Sequence, residues 1–269
     1  MTTTTTLSWD SAVRDFGKWQ MAGNRAPGTV RLYAYRLTDL AALTPDGPSS
    51  VTEDLLLEIL SNPDWSPNTR KSVRSAYRSF FAWAVRHRDL DHNPAEWLPA
   101  IIVPRPIPRP TPEKYVHRAL REAEPREEFM VRLGAYAGLR CCEICLVHEH
   151  HWDGRILTVV GKGGKTRRVA IVEPALVRML NNLDGYAFPN RWTGQPITPG
   201  HVTKLLSGTL AETWTGHTLR HRMATVGHRG TKNIKAVSRM LGHSRLDTTL
   251  IYVLDDDDEL FDVAAAAAA

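Results

Sequence analysis

Along the first hundred residues, apolar side chains recur every three or four positions in four runs, 7–21, 28–43, 52–60 and 68–88. That period lines one side of a helix, so four helices are predicted. The runs are separated by GNRAPG, TPDGPSS and NPDWSP, rich in residues that end helices. The fourth run has two faces. Val73, Tyr77, Phe80 and Ala84 form an apolar stripe, while Arg70, Lys71, Arg74 and Arg78 gather on another side. No acidic residue occurs from 68 to 88. A face that only keeps a helix soluble usually mixes signs, so one-signed charge points to phosphate. A solvated helix is the plain alternative.

The pattern breaks in LPAIIVPRPIPRPTP, residues 98–112, where five prolines fall within nine residues. Proline excludes helix and sheet interior, so an extended, semi-rigid connector carrying Arg105 and Arg109 is expected. Beyond it the periodicity is mixed. Residues 113–124 and 126–137 read as helices, and RILTVV and TRRVAIV read as two strands about a glycine-rich turn. Helical spacing resumes over 175–183, 199–210, 218–229, 233–241 and 244–253. Ser244 and Asp247 make a capping box at the start of the last of these. The expected fold class is mainly α with a small β-sheet. The expected organisation is a helical domain over 1–98, a connector over 99–112, an α+β domain over 113–254 and a tail over 255–269.

Composition narrows the picture. A chain of 269 residues accommodates one large core or two modest ones, and 42% hydrophobic with 23% charged residues is ordinary for a globular protein. No basic-then-apolar leader and no apolar run of membrane-spanning length occur, which predicts a soluble cytoplasmic protein without a membrane partner. Cys141, Cys142 and Cys145 are three in number and too close together for a disulfide framework. They are expected to pack in a core, not to bind metal, and HEHHW at 148–152 lacks the spacing of a zinc protease. A formal charge of +5 and a pI near 9.2 are compatible with a polyanionic partner.

Four short stretches carry the chemistry. AGLRCCEICL places Arg140 and Glu143 one helical turn apart, and VVGKGGKTRRV places Lys162 at a strand end beside a glycine-rich turn. GHTLRHR sets His217 and Arg220 three residues apart, on one side of a helix. LGHSRLDTTLIY adds His243 and Tyr252. Arginine's planar fork grips two phosphate oxygens, and such donors stabilise the charge that grows on phosphorus under attack. A phenol with an ordinary pKa near 10 needs a base and cationic neighbours to act as a nucleophile. Each stretch alone has a bland reading: a surface ion pair, a solvated hairpin tip, a core tyrosine.

Together, GLRCCE, GKGGKTRRV, HTLRH and LGHSRLDTTLIY, in this order and spacing, resemble the signature boxes of the tyrosine recombinase, or phage integrase, family. The resemblance implies a helical core-site DNA-binding domain before the connector and an α+β catalytic domain after it. It makes Arg140 and Arg220 clamps on a scissile phosphate and Tyr252 the nucleophile that forms a 3'-phosphotyrosyl bond. It implies that His217 assists proton transfer at the tyrosine, Lys162 is the general acid toward the 5'-oxygen, His243 hydrogen-bonds the phosphate and Glu143 supports the clamp. It further implies a metal- and cofactor-free reaction on double-stranded DNA core sites by a homotetramer, in phage DNA integration and excision. With only MTTTTTLSW ahead of the first helix, a compact form without an arm-binding domain is expected. A type IB topoisomerase and a non-catalytic DNA-binding regulator are the alternatives. After Tyr252 the run DDDDE would be repelled by DNA, so the chain is expected to turn away and dock on a neighbouring protomer. The terminal alanines resemble tags read by bacterial ATP-dependent proteases.

Overall fold

A computed structural model describes residues 7–104, 107–161, 164–211, 213–242, 264, 265 and 267. Lys162, His243, Tyr252, the Ser244–Asp247 capping box and the acidic run all lie outside these residues, as does Arg105. The chain divides into two compact units, Met1–Arg105 and Pro106–Ala269, with the boundary inside the proline-rich stretch.

The first unit is helical: α1 (Trp9–Ala22), α2 (Pro27–Leu43), α3 (Glu53–Leu60) and α4 (Pro67–His87). The expected starts shift by a residue or two because capping side chains set them. Ser8, Thr52 and Ser66 each accept a hydrogen bond from a backbone N–H in the first turn of the helix that follows. The stripe foreseen on α4 is the core of this unit, since Val73, Tyr77, Phe80 and Ala84 are all buried. Trp9 stacks on Phe80 at 5.4 Å, and Phe16 meets the same ring edge-on at 5.5 Å.

The second unit holds α5 (Glu113–Glu122), α6 (Pro125–Ala135), α7 (Cys141–Ile144), β1 (Ile156–Val160), β2 (Thr166–Ala170), α8 (Pro174–Asn181), α9 (Pro199–Leu210), α10 (Gly216–Thr231) and α11 (Ile234–Leu241). β1 and β2 pair antiparallel, from Ile156 opposite Ala170 to Val160 opposite Thr166. The fold is therefore mainly α with one small sheet. Met130, Leu133, Leu139, Ile144, Leu157, Val169, Leu206 and Leu219 are fully buried in one core, each contributing about 2 kcal/mol of apolar burial. α6 packs so closely on α10 that a Cβ at Gly134 would lie 2.9 Å from Leu219 Cδ1.

One expected helix is shorter than its spacing suggests. The 126–137 run ends at Ala135, because the chain reverses through Gly138 at φ +67° before α7 begins. The end of the connector is stitched to α10: Thr111 N–H donates to Thr218 O at 3.1 Å, and the two threonine hydroxyls meet at 2.7 Å. No helix among the described residues is long and apolar enough to cross a membrane.

Candidate active site

Glu143 organises the site. It lies in the single turn of α7, and its Oε2 accepts the Arg140 backbone N–H at 2.8 Å, closing the start of that helix. Its Oε1 also accepts Arg140 Nη1 at 2.8 Å. Arg167, from β2, forks onto the same carboxylate, Nη1 to Oε1 at 2.6 Å and Nη2 to Oε2 at 2.9 Å. Arg220, from α10, brings Nη1 to 3.7 Å of Oε2. One carboxylate thus faces three guanidinium groups, leaving two positive charges in excess. Burial alone would raise the Glu143 carboxyl. The Arg167 hydrogen bonds, the Arg140 amide and the charges of Arg167 and Arg220 outweigh it and hold the group below the usual carboxylate range.

The three arginines differ in access. The Arg140 side chain is 41% exposed, whereas Arg167 is 10% and Arg220 only 2% exposed. Arg220 is fixed by two backbone carbonyls, Nη1 donating to Gly138 O at 2.6 Å and Nη2 to Leu241 O at 2.5 Å. Arg167 Nε donates to Met240 O at 2.8 Å. The turn at Gly138 and the end of α11 are therefore tied to the cluster. Such preorganised positive charge, open to solvent at one arginine, suits an anionic group that gains charge during reaction.

His217 and Arg220 lie one turn apart on α10, as their spacing predicts. The His217 ring is exposed at the surface, yet partial burial and the charges of Arg220 and Arg140 push its pKa down. Its Nε2 lies 3.0 Å from Nε2 of His221. His221 is buried, and burial with the His217 and Arg220 charges pushes it down to about 4.

Lys162 and His243 lie outside the described residues, but the glycines just before them touch this cluster. A Cβ at Gly161 would sit 3.7 Å from Glu143 Oε1, and one at Gly242 would sit 2.6 Å from Arg167 Cδ. Tyr252 is likewise outside the described residues, so Arg140, Glu143, His217 and Arg220 are the predicted site residues that are seen together.

Arg167 and His221 were not singled out by the sequence reading. Arg167 carried a signal: strand alternation puts it on the same side as the buried Val169, and an arginine on the inward side of a strand needs an anion. His221 follows His217 by four residues, hence on the same side of α10.

On α4 the four predicted DNA-binding cations separate. Lys71 and Arg78 are exposed. Arg70 donates to Asn62 O at 2.9 Å, and Arg74 donates twice to Leu98 O, from Nη2 at 2.7 Å and Nε at 3.2 Å. Two of the four thus also brace the unit that carries them.

The cysteines differ from expectation. Cys145 is buried and Cys141 partly so, but Cys142 is exposed, because a single-turn helix points three closely spaced residues in different directions. HEHHW forms a 3-10 turn (Glu149–His151), in which ligand atoms of His148, Glu149 and His150 fall within 4.8 Å of one another. His148 Nδ1 accepts the His150 N–H at 3.2 Å, leaving Nε2 as its only donor atom for an ion.

Residues 109–259 match the model of the phage integrase family. A relative named tyrosine recombinase XerC from Chromohalobacter salexigens is 30% identical over 90% of this chain and 90% of its own length. One of the same name from Neisseria meningitidis serogroup B is 27% identical over 86% of each. Among solved structures, a lambda integrase dimer bound to a COC' core site superposes with a TM-score of 0.74 at 16% identity, over 93% of this chain and 78% of that one. A XerH site-specific recombinase bound to a palindromic difH substrate gives 0.72 at 18% identity, over 96% and 84%. The arginine–carboxylate cluster lies within the matched span, and the chain belongs to the phage integrase family of tyrosine recombinases.

Proposed function

We propose that this protein is a site-specific DNA recombinase in which Tyr252 attacks the scissile phosphorus. A 3'-phosphotyrosyl bond forms as the phenolic proton passes to solvent water, the bond from phosphorus to the 5'-oxygen breaks, and Lys162 protonates that departing oxygen. Religation reverses these steps with the 5'-hydroxyl of another strand, so bond energy is conserved. Arg140 and Arg220 neutralise the phosphate as charge builds on it, and His243 donates to it. The observation that carries the reading is the buried Glu143 carboxylate, which aims three arginines from separate elements at one place. A purely DNA-binding regulator has no need of an arginine fixed by two carbonyls beneath the surface.

The reaction joins two core sites in a homotetramer, an assembly supported by the solved lambda integrase tetramer bound to a Holliday junction, which has this fold. Integration and excision of phage DNA is the role inferred from the signature boxes. A second reading, resolution of joined chromosome copies, is favoured by the match over 86–90% of both chains to relatives named XerC.

The test uses nicked duplexes bearing candidate core sites, with chelator in place of magnesium. Wild-type protein should form an SDS-stable adduct with DNA, and Tyr252→Phe should form none. Absence of an adduct on every cognate site would refute the recombinase reading. Relaxation of plasmids lacking such sites would mark a topoisomerase. Recombination restricted to two sites on one circle would select resolution over integration.

A further inference from the structure

The connector reaches the active site through a histidine. Arg109, near the end of the proline-rich stretch, donates its backbone N–H to Nδ1 of the buried His221 at 3.1 Å. That contact decides where the His221 proton is. A nitrogen that accepts cannot also carry hydrogen, so the neutral ring is protonated at Nε2. Nε2 in turn lies 3.0 Å from Nε2 of His217, and two N–H groups cannot point at each other. His221 therefore donates, His217 accepts at Nε2, and the proton of neutral His217 belongs on Nδ1. An imidazolium at either position would break one of these two contacts.

We propose that His221 is a positioning residue which, gripped by the Arg109 amide, fixes His217 in its Nδ1–H tautomer and makes it a neutral hydrogen-bond donor toward the reacting phosphate. This departs from the role implied by the signature boxes, in which His217 handles the tyrosine proton. A base acting through Nε2 would have to displace the His221 N–H first. The catalytic consequence rests on the recombinase reading, whereas the tautomer does not.

The surroundings favour uncharged rings. His217 faces Arg220 on its own helix and Arg140 from the start of α7, while His221 faces His217, Arg220 and the connector at Arg109. Thr111 and Thr218 hold the connector in register beside this contact, and the Arg109 guanidinium lies 4.8 Å over the Trp214 ring. Among the described residues the end of the connector is therefore set by five contacts to α10 and its approach: two backbone amides, one hydroxyl pair, the Arg109 guanidinium on the Thr213 hydroxyl and one ring.

Two variants separate the roles of the ring. His221→Gln keeps an N–H at the level of Nε2, and His221→Asn keeps an acceptor near the position of Nδ1 but reaches no further. Freed of its donor, neutral His217 would populate the Nε2–H form and present a lone pair to the phosphate. Acid would then restore a proton on Nδ1. The expected result is that Asn slows adduct formation about tenfold near pH 8, the rate equivalent of one net hydrogen bond. The ratio of its rate to wild type should rise toward one as pH falls through the histidine range to about 5.5. Gln should stay within about threefold throughout, with DNA affinity unchanged in both; its thermal midpoint should fall because the Arg109 amide loses its acceptor, whereas Asn keeps that bond.

The tautomer itself is read on the full chain by ¹⁵N spectra of the imidazoles, without DNA. A pyrrole-type Nδ1 on His217 is expected. An Nε2–H form there would overturn the proposal, as would a pH-independent defect shared equally by Gln and Asn. If wild-type protein forms no adduct on any site, the recombinase reading falls, and the spectra still decide the tautomer.

Discussion

Glu143 shows why a buried carboxylate matters more to this site than any one arginine. Removing its charge leaves Arg167 and Arg220 buried with cationic neighbours, and breaking a buried pair from one side costs about 3 kcal/mol. Glu143→Gln should lower the thermal midpoint of the second unit and suppress adduct formation, since the amide keeps one acceptor oxygen where Arg140 and Arg167 use two and loses the charge that holds them. The pH dependence has a definite sign. A carboxyl held below its ordinary 4.5 when folded stabilises the native state at pH above that value, and the contribution fades as pH falls through the folded value. Wild type should therefore lose stability below about pH 4.5 more steeply than Glu143→Gln, as thermal midpoints between about pH 3 and 7 would reveal. Arg140, Glu143, His217 and Arg220 were legible because their stretches together, in order and spacing, resemble the family's signature boxes, whereas each spacing alone reads equally as a surface ion pair or a packed helix. The Glu143–Arg167 contact was not, since it spans 24 residues and depends on which way β2 faces.

At the scale of elements, helices of three or more turns announced themselves through period, and their ends were misplaced where a cap or a positive-φ glycine intervened. α7 was invisible as a helix because one turn holds too few residues for a period, and it exists through the Arg140–Glu143 closure. Glycine has a second use at the end of α11. Gly242 adopts φ +67°, and a Cβ there would meet Arg167 Cδ at 2.6 Å. Gly242→Ala should cost about 1 kcal/mol in backbone strain and, by pushing Arg167 off Glu143, depress adduct formation as well. Gly154 supplies the control. It has φ +94° with nothing within 4 Å of its would-be Cβ, so Gly154→Ala should share the strain and leave cleavage intact. Equal activity of the two variants would mean that the approach of Gly242 to Arg167 has no bearing on the site.

Across the whole molecule the family match covers residues of the second unit only, while the one-signed cationic face lies on α4 of the first. The one-signed face of α4 was legible as charge, but which of its cations are free to meet DNA was not, because that depends on carbonyls 8 and 24 residues away. Lys71 and Arg78 are exposed, whereas Arg74 closes the carbonyl of Leu98 at the edge of the connector. Arg78→Ala and Lys71→Ala together should reduce the slope of log binding constant against log salt by about 2, weakening all sequences alike, with the first unit equally stable. Arg74→Ala should differ in kind. Leu98 O loses two donors from one guanidinium, so the first unit should become less stable by about 1 kcal/mol as well as bind DNA less tightly. Salt titrations run beside thermal melts separate these outcomes. If Arg74→Ala changed the salt slope with no loss of stability, its bonds to Leu98 O would be incidental, and all four cations of α4 would count equally as phosphate contacts.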